Sequence, residues 1–379
     1  MGSGILALGV YTPNDQIQRG AAMNRFYIAI VNMFLGIAAF SFDAAFAAEL
    51  KTPTDPQPSL VRVATPSRDA LPIGHIKEIS LFALSKDGRY ALTGDADENN
   101  FLWDLKSGTM LRGIGKPDPV RIWVVAAGFS PDSSTLLWAR FRKHMPVLWD
   151  VKSGKRLGVL ASKENGHKAE IVSMAFSDDG RYVATGDVQG MVVLWNMKDR
   201  SVVRRIKAHT GEVNHLVFIP GHDELASAGV DGAVMLWSLK KAESLATLVK
   251  PSDELITALT VSSDGLVMYA ASDNMTIKGW NVPLRTVRTT ISLKDRLINS
   301  IAVSPAGDLL AVIVEDNSVL LWNIRESRAV WRNELDDSAL LAKFSPDGGS
   351  LYTSGGDNWI REWEVSSGRL IRKFGGVME

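Results

Sequence analysis

"VVLWNMKDR", residues 192–200, ends a short apolar run in Trp195 and turns at once into polar residues. Close variants stand at 100–108 ("NFLWDLKSG"), 146–154 ("PVLWDVKSG") and 234–242 ("VMLWSLKKA"). The closing tryptophans are Trp103, Trp149, Trp195, Trp237, Trp280, Trp322 and Trp363, at intervals of 46, 46, 42, 43, 42 and 41 residues. A turn signature precedes each one: "SKDG" at Ser85, "SPDS" at Ser130, "SDDG" at Ser177, "IPGH" at Ile219, "SSDG" at Ser262, "SPAG" at Ser304 and "SPDG" at Ser345. Its first residue lies 18 positions before the tryptophan in six units and 19 in the second. Self-similarity at such a period marks an array of structural repeats.

Each unit divides into four short apolar runs, as at 171–176, 182–185, 192–195 and 202–206, separated by turns. Runs of four to six residues rich in Val, Ile, Phe and Trp read as strands. Asp or Pro ahead of Gly supplies the tight turns, because Pro presets φ and Gly accepts positive φ. No sustained helical period occurs outside the N-terminal segment, so the array is expected to be all-β. A four-stranded sheet cannot bury both faces alone, and closing a row of them into a ring removes the exposed ends. Seven units therefore predict seven four-stranded antiparallel sheets in a circle over 73–376. "GRLIRKF" (368–374) is the expected last strand, preferred to 60–64 for its similarity to "GTMLRGI" (108–114).

The Gly-His, the "SPDG"-like turn, the turn Asp and the closing Trp at this period resemble the WD40-repeat family of β-propellers, over almost the whole chain beyond residue 72. The resemblance implies a buried relay joining the Trp to a Ser or Thr, a His and an Asp. Unit four carries His209, Ser227, Asp231 and Trp237, and unit one His75, Thr93, Asp97 and Trp103. Unit three has His167, Thr185 and Trp195, with Gln189 in place of the Asp. The later units lack the His but keep Asn274, Asp316 with Trp322, and Thr353 and Asp357 with Trp363. A buried indole N–H needs an acceptor, a hydroxyl can accept and donate, and an imidazole can extend the chain to a carboxylate. These polar sets are expected to serve packing rather than catalysis. His144, His215 and His222 have no metal-ligand spacing. Glycine-containing turns such as "TGDADENN" precede no helix that would hold a phosphate.

Composition narrows the function classes. Lys plus Arg and Asp plus Glu are 42 each, so no net field recruits nucleic acid or an anionic membrane. There is no cysteine, which removes disulfides, thiolate metal sites and a thiol nucleophile. No cofactor is implied, and a monomer is expected. Residues 23–47 have the layout of a secretory signal: Arg25, an apolar stretch over 26–42, and an Ala-Phe-Ala pattern at 45–47 with cleavage expected after Ala47. On this reading translation starts at Met23, residues 1–22 are an extension, and the mature protein is periplasmic or otherwise exported. The alternative is an uncleaved anchor. Residues 48–72 are a proline-rich linker.

If the scaffold is generic, function sits where units differ. In WD40-like propellers the His-bearing and Asp-bearing loops share one face. Just before the turn Asp position the units read Ala96, Arg142, Val188, Val230, Asp273, Glu315 and Gly356. Unit two adds Lys143, His144 and Arg121, whereas units five and six add Asp253, Glu254 and Asp295, so this face is expected to be electrically split. Before the first strand, Trp123 interrupts a column of Glu78, Glu170 and Glu212, and an aromatic beside arginines has the composition of an interface anchor. Trp359 in unit seven is similar. Unit two also places Ala139 where other units have Thr93 or Ser227. The expected function is a non-catalytic protein-interaction scaffold using Arg121, Trp123, Arg142, Lys143, His144, Asp273, Glu315 and Trp359. The alternative is an enzyme or small-ligand propeller with a central-channel site.

Overall fold

In a computed structural model, the residues described are 74–376 except 96, 116–123, 142, 162–165, 242, 294–295 and 336–337. The segments read as a secretory signal, a linker and a short strand at 60–64 lie outside them. The described residues form seven antiparallel sheets of four strands each, every sheet ordered as the chain runs. These blades span 79–113, 124–159, 171–207, 213–249, 256–292, 298–334 and 339–374. In blade 3 the four apolar runs become the strands Ile171–Phe176, Tyr182–Asp187, Met191–Asn196 and Val202–Lys207.

The turns form for the reason their letters suggest. Ser85 Oγ donates to Asp87 at 2.6 Å and accepts the Tyr90 N–H at 2.8 Å, while Gly88 takes φ +70° to close the hairpin. The Ser–Asp bond recurs at Ser177–Asp179, Ser262–Asp264 and Ser345–Asp347. Within a blade the second strand is the most buried and the fourth the most exposed: Tyr182–Asp187 is almost wholly buried, whereas Val202–Arg205 face solvent or are half-buried. The core is therefore a set of layers between blades, such as Leu92, Leu102, Leu136 and Trp138 between blades 1 and 2. Burial of this kind supplies roughly 25 cal/mol per Å² of apolar surface.

Innermost strands pack on innermost strands around the ring, and Ala339–Phe344 of blade 7 packs against Ile79–Leu84 of blade 1. The last blade is completed by its own C-terminal strand, Leu370–Phe374, paired with Ile360–Glu364. The circle closes where the His75 N–H donates to the Gly375 carbonyl at 2.7 Å and His75 bridges Gly376 in parallel. Arg372 fastens the outer edge by donating to the carbonyls of Lys106, at 3.0 Å, and Leu105.

Candidate functional site

The repeated polar residues are wired inward. In blade 3 the Trp195 indole N–H donates to Thr185 Oγ1 at 2.8 Å, Thr185 meets His167 Nε2 at 2.7 Å, and His167 Nδ1 meets Asp187 at 2.7 Å. Burial raises the Asp187 pKa, but the bonds from His167 and from the Met191 and Gln189 N–H groups outweigh it and hold the carboxyl below its usual range. A carboxylate only accepts, so His167 Nδ1 is the donor to Asp187. Blade 1 repeats the chain with Trp103, Thr93, His75 and Asp95 at 2.6, 2.6 and 2.8 Å. Blade 4 repeats it with Trp237, Ser227, His209 and Asp231 at 2.9, 2.8 and 2.8 Å. The Thr93, Thr185 and Ser227 side chains are completely buried and their hydroxyls already engaged, so none of these three is an open nucleophile.

The acid differs from the sequence expectation in two blades. Asp95 and Asp187, two residues after the threonine, take the role assigned to Asp97 and to the position of Gln189. Asp97 instead donates its backbone N–H to Asp95 at 3.0 Å. Blade 4 has Gly229 at this place, where a Cβ would stand 2.6 Å from the His209 ring, so its acid comes from the turn. "TGD" in blades 1 and 3 against "SAG" in blade 4 was the available signal.

The later blades also depart from expectation. In blade 7 Trp363 donates to Thr353 at 2.9 Å, but Asp357 forms a two-pronged ion pair with the buried Arg361 rather than joining a relay. In blade 6 Val312 occupies the hydroxyl position, so Trp322 has no relay there, and Asp316 is taken by Arg296 and Arg332. Ala270 fills the position in blade 5, and Asn274 donates to Glu254 at 2.6 Å.

Blade 2 is the strongest departure. Strand register pairs Trp138 with Val147 as Thr93 pairs with Phe101, so Trp138, not Ala139, occupies the hydroxyl position. The extra residue of this unit falls after Trp138, between the strands Thr135–Arg140 and Val147–Asp150, which shifts a count made back from Trp149 by one. Trp138 and Trp149 pack with centroids 4.7 Å apart, and both buried indole N–H groups lack an acceptor among the described residues. Arg140 stands where blades 1 and 3 have Asp95 and Asp187. A crevice of about 280 Å³ opens here between blades 1 and 2, bordered by Asn100, Trp138, Arg140, Trp149 and Arg156.

Of the expected partner residues, Lys143 and His144 are exposed on the adjoining loop, and the Lys143 carbonyl accepts the Ile171 N–H at 3.2 Å, tying this loop to blade 3. Arg121, Trp123 and Arg142 lie outside the described residues. Trp359 is half-buried at the ring closure, where a Cβ on Gly376 would meet its ring at 2.7 Å; it packs the seam. Glu315 is exposed, whereas Asp273 accepts the Leu255 N–H at 3.0 Å within its own blade. His215 lies on the innermost strand of blade 4, and burial lowers its pKa to about 4 against the opposing pull of the Thr257 and Ile256 backbone.

Comparison with known proteins agrees with this geometry. The WD domain, G-beta repeat family model matches residues 155–196, 200–238 and 242–281. Each match runs from the outer strand of one blade to the third strand of the next, so the sequence repeat is staggered against the blade and staples neighbours together. The chain is 25% identical to mouse (Mus musculus) jouberin over 154 residues, 36% of this chain and 14% of that protein. It is 27% identical over 124 residues to pre-mRNA-processing factor 19 homolog 2 of Arabidopsis thaliana, 33% and 22% of the two chains. It is 27% identical over 139 residues to the guanine nucleotide-binding protein subunit beta of Saccharomyces cerevisiae, 36% and 32%. The chain thus spans under a third of the length of each of these relatives. With three matched repeats and seven blades of the same plan, the chain carries WD40 repeats and folds as a seven-bladed β-propeller.

Proposed function

We propose that this propeller is a non-catalytic scaffold that binds a protein or peptide on the face bearing the His and Asp loops. The observation that carries the reading is the division of labour among polar residues. The His, hydroxyl, Trp and acid sets of blades 1, 3 and 4 are consumed in buried relays, Asp231 among them, whereas at that turn position the other blades carry Asp97, Lys143, Gln189, Asn274, Asp316 and Asp357. A surface that differs at each blade can discriminate one partner from another by paired and unpaired charge. Among the similar proteins, the name guanine nucleotide-binding protein subunit beta describes a member of an assembly, which is in keeping with this role. The N-terminal signal reading extends the proposal to a scaffold working outside the cytoplasm, with a mature chain beginning at Ala48.

Immobilised protein should capture a partner from extract of its native compartment, and K143E/H144E should cut recovery at least fivefold with the thermal midpoint within about 1 °C of wild type, because both side chains are exposed. Undiminished recovery, or loss explained by unfolding, would contradict the reading. Sequencing the mature N-terminus checks export: a protein starting at Met1 would remove that part.

A further inference from the structure

The turn position four residues before the strand residue facing the relay hydroxyl shows how this propeller treats cations on its outer strands. In blade 6 that position is Asp316, and Arg332, the outer-strand partner of Leu320, donates to it at 2.7 Å and to Ser318 at 2.8 Å. Blade 3 has the same cation in the same register, since Arg205 is the partner of Val193. Its turn residue is the neutral Gln189. The arginine is kept and its acid is gone.

More positive charge gathers around it. Lys207 lies two residues along the same strand, hence on the same side and about 7 Å away, and donates to the Gln189 carbonyl. Lys168, from the loop that carries His167, joins them in lining a crevice of about 540 Å³ with Met191. Asp187 is the one carboxylate among its described lining residues. That group is buried and committed to His167 and to the N–H groups of Gln189 and Met191, so it adds little compensation outward. The loop bearing Lys143 and His144 leans on this same blade, which continues the basic strip from blade 2.

We propose that the crevice of blade 3 receives a carboxylate-rich segment of the partner, with Arg205 and Lys207 pairing with Asp or Glu side chains and Met191 lying beneath an intervening apolar residue. This rests on the interaction-scaffold reading and names the chemistry of what that scaffold holds. A bounded crevice suits a peptide. A long polyanion crossing the face would meet Glu170, just ahead of blade 3, and Glu212, just ahead of blade 4, where burial and the neighbouring Glu170 charge already hold the Glu212 carboxyl above its usual range.

The test is fluorescence anisotropy with an eight-residue labelled peptide of alternating Glu and Leu and the full chain. Binding should weaken as salt rises, and R205E/K207E should weaken it at least tenfold. Q189D should weaken it severalfold, because it supplies Arg205 with the acid that Asp316 supplies to Arg332, and it decides the matter if the double variant does not fold. K198E, on an exposed turn outside the crevice, should bind as wild type. Wild-type binding by both crevice variants, equal weakening in K198E, or competition by an oligothymidylate of equal charge would overturn the proposal. If partner capture remains sensitive to K143E/H144E while the peptide ignores the crevice, only this inference falls. If both are lost, the scaffold reading falls with it.

Discussion

Replacing Thr185 with Val isolates what a relay contributes. The two side chains are nearly the same size, and Thr185 is fully buried, so packing changes little and the hydroxyl is what is lost. Its removal strands the Trp195 N–H, bonded at 2.8 Å, and His167 Nε2, at 2.7 Å. A buried polar group deprived of its partner costs ~1–3 kcal/mol, so T185V should destabilise by about 2–6 kcal/mol. At this chain size a kcal/mol moves the midpoint by about 2 °C, which corresponds to a fall of about 4–12 °C. Ser201 serves as control: its hydroxyl bonds to Asp199 at the surface, and S201A should stay within about 0.5 kcal/mol. Because the relay acts as one chain, T185V and D187N together should cost at least about 1 kcal/mol less than their sum. Urea unfolding read by tryptophan fluorescence measures wild type and the four variants. A loss under about 1 kcal/mol for T185V, or strict additivity with D187N, would refute the reasoning.

Three further outcomes are expected. Burial pushes the His209 pKa down by more than its Asp231 partner raises it, and His215 sits at about 4. The unfolded chain, with histidines near ~6.5, binds more protons than the folded one as pH falls below that value, so stability is full above about 6.5 and is lost toward 4. The urea midpoint should drop between pH 7.5 and 5, and less so in H215Q; a constant midpoint would exclude this. At the ring closure, G376V drives a side chain into the Trp359 ring and should cost roughly 1–3 kcal/mol by overpacking, with faster proteolysis of blade 7; an unchanged midpoint would argue against the seam. Finally, W138F removes an indole N–H that has no acceptor among the described residues and should cost under about 1 kcal/mol, whereas W195F strands the Thr185 end of a working relay and should cost about 1–2 kcal/mol. Equal effects would contradict the difference drawn between blades 2 and 3.

The fold could be read from the chain because its signals are local and repeated. Ser85, Asp87 and Gly88 close a hairpin by their own bonds and dihedrals, and a tryptophan 18 residues later reports the third strand of each blade. The relays were only partly readable, since two acids compete in "TGDAD" and the choice of Asp95 over Asp97 depends on where the His75 ring lies in space. Trp138 was missed because a single added residue in the following loop misaligned the blade, which only strand pairing corrects. The crevice of blade 3 was missed for another reason. Arg205 and Lys207 on an outer strand look like ordinary solvated charge, and their meaning comes from Gln189, a departure visible in the sequence whose neighbour across the sheet was not.

Shared indoles sealed between the blades of a closed ring hold the propeller together. Hydrogen exchange of the tryptophan side-chain N–H groups, followed by NMR after transfer to D₂O, tests it most directly. The bonded N–H groups of Trp103, Trp195, Trp237 and Trp363 should exchange only through large-scale opening, slowing in step with global stability as urea is withdrawn. Exchange of these four within the dead time, independent of urea, would mean that they face water and that the ring is not packed as described.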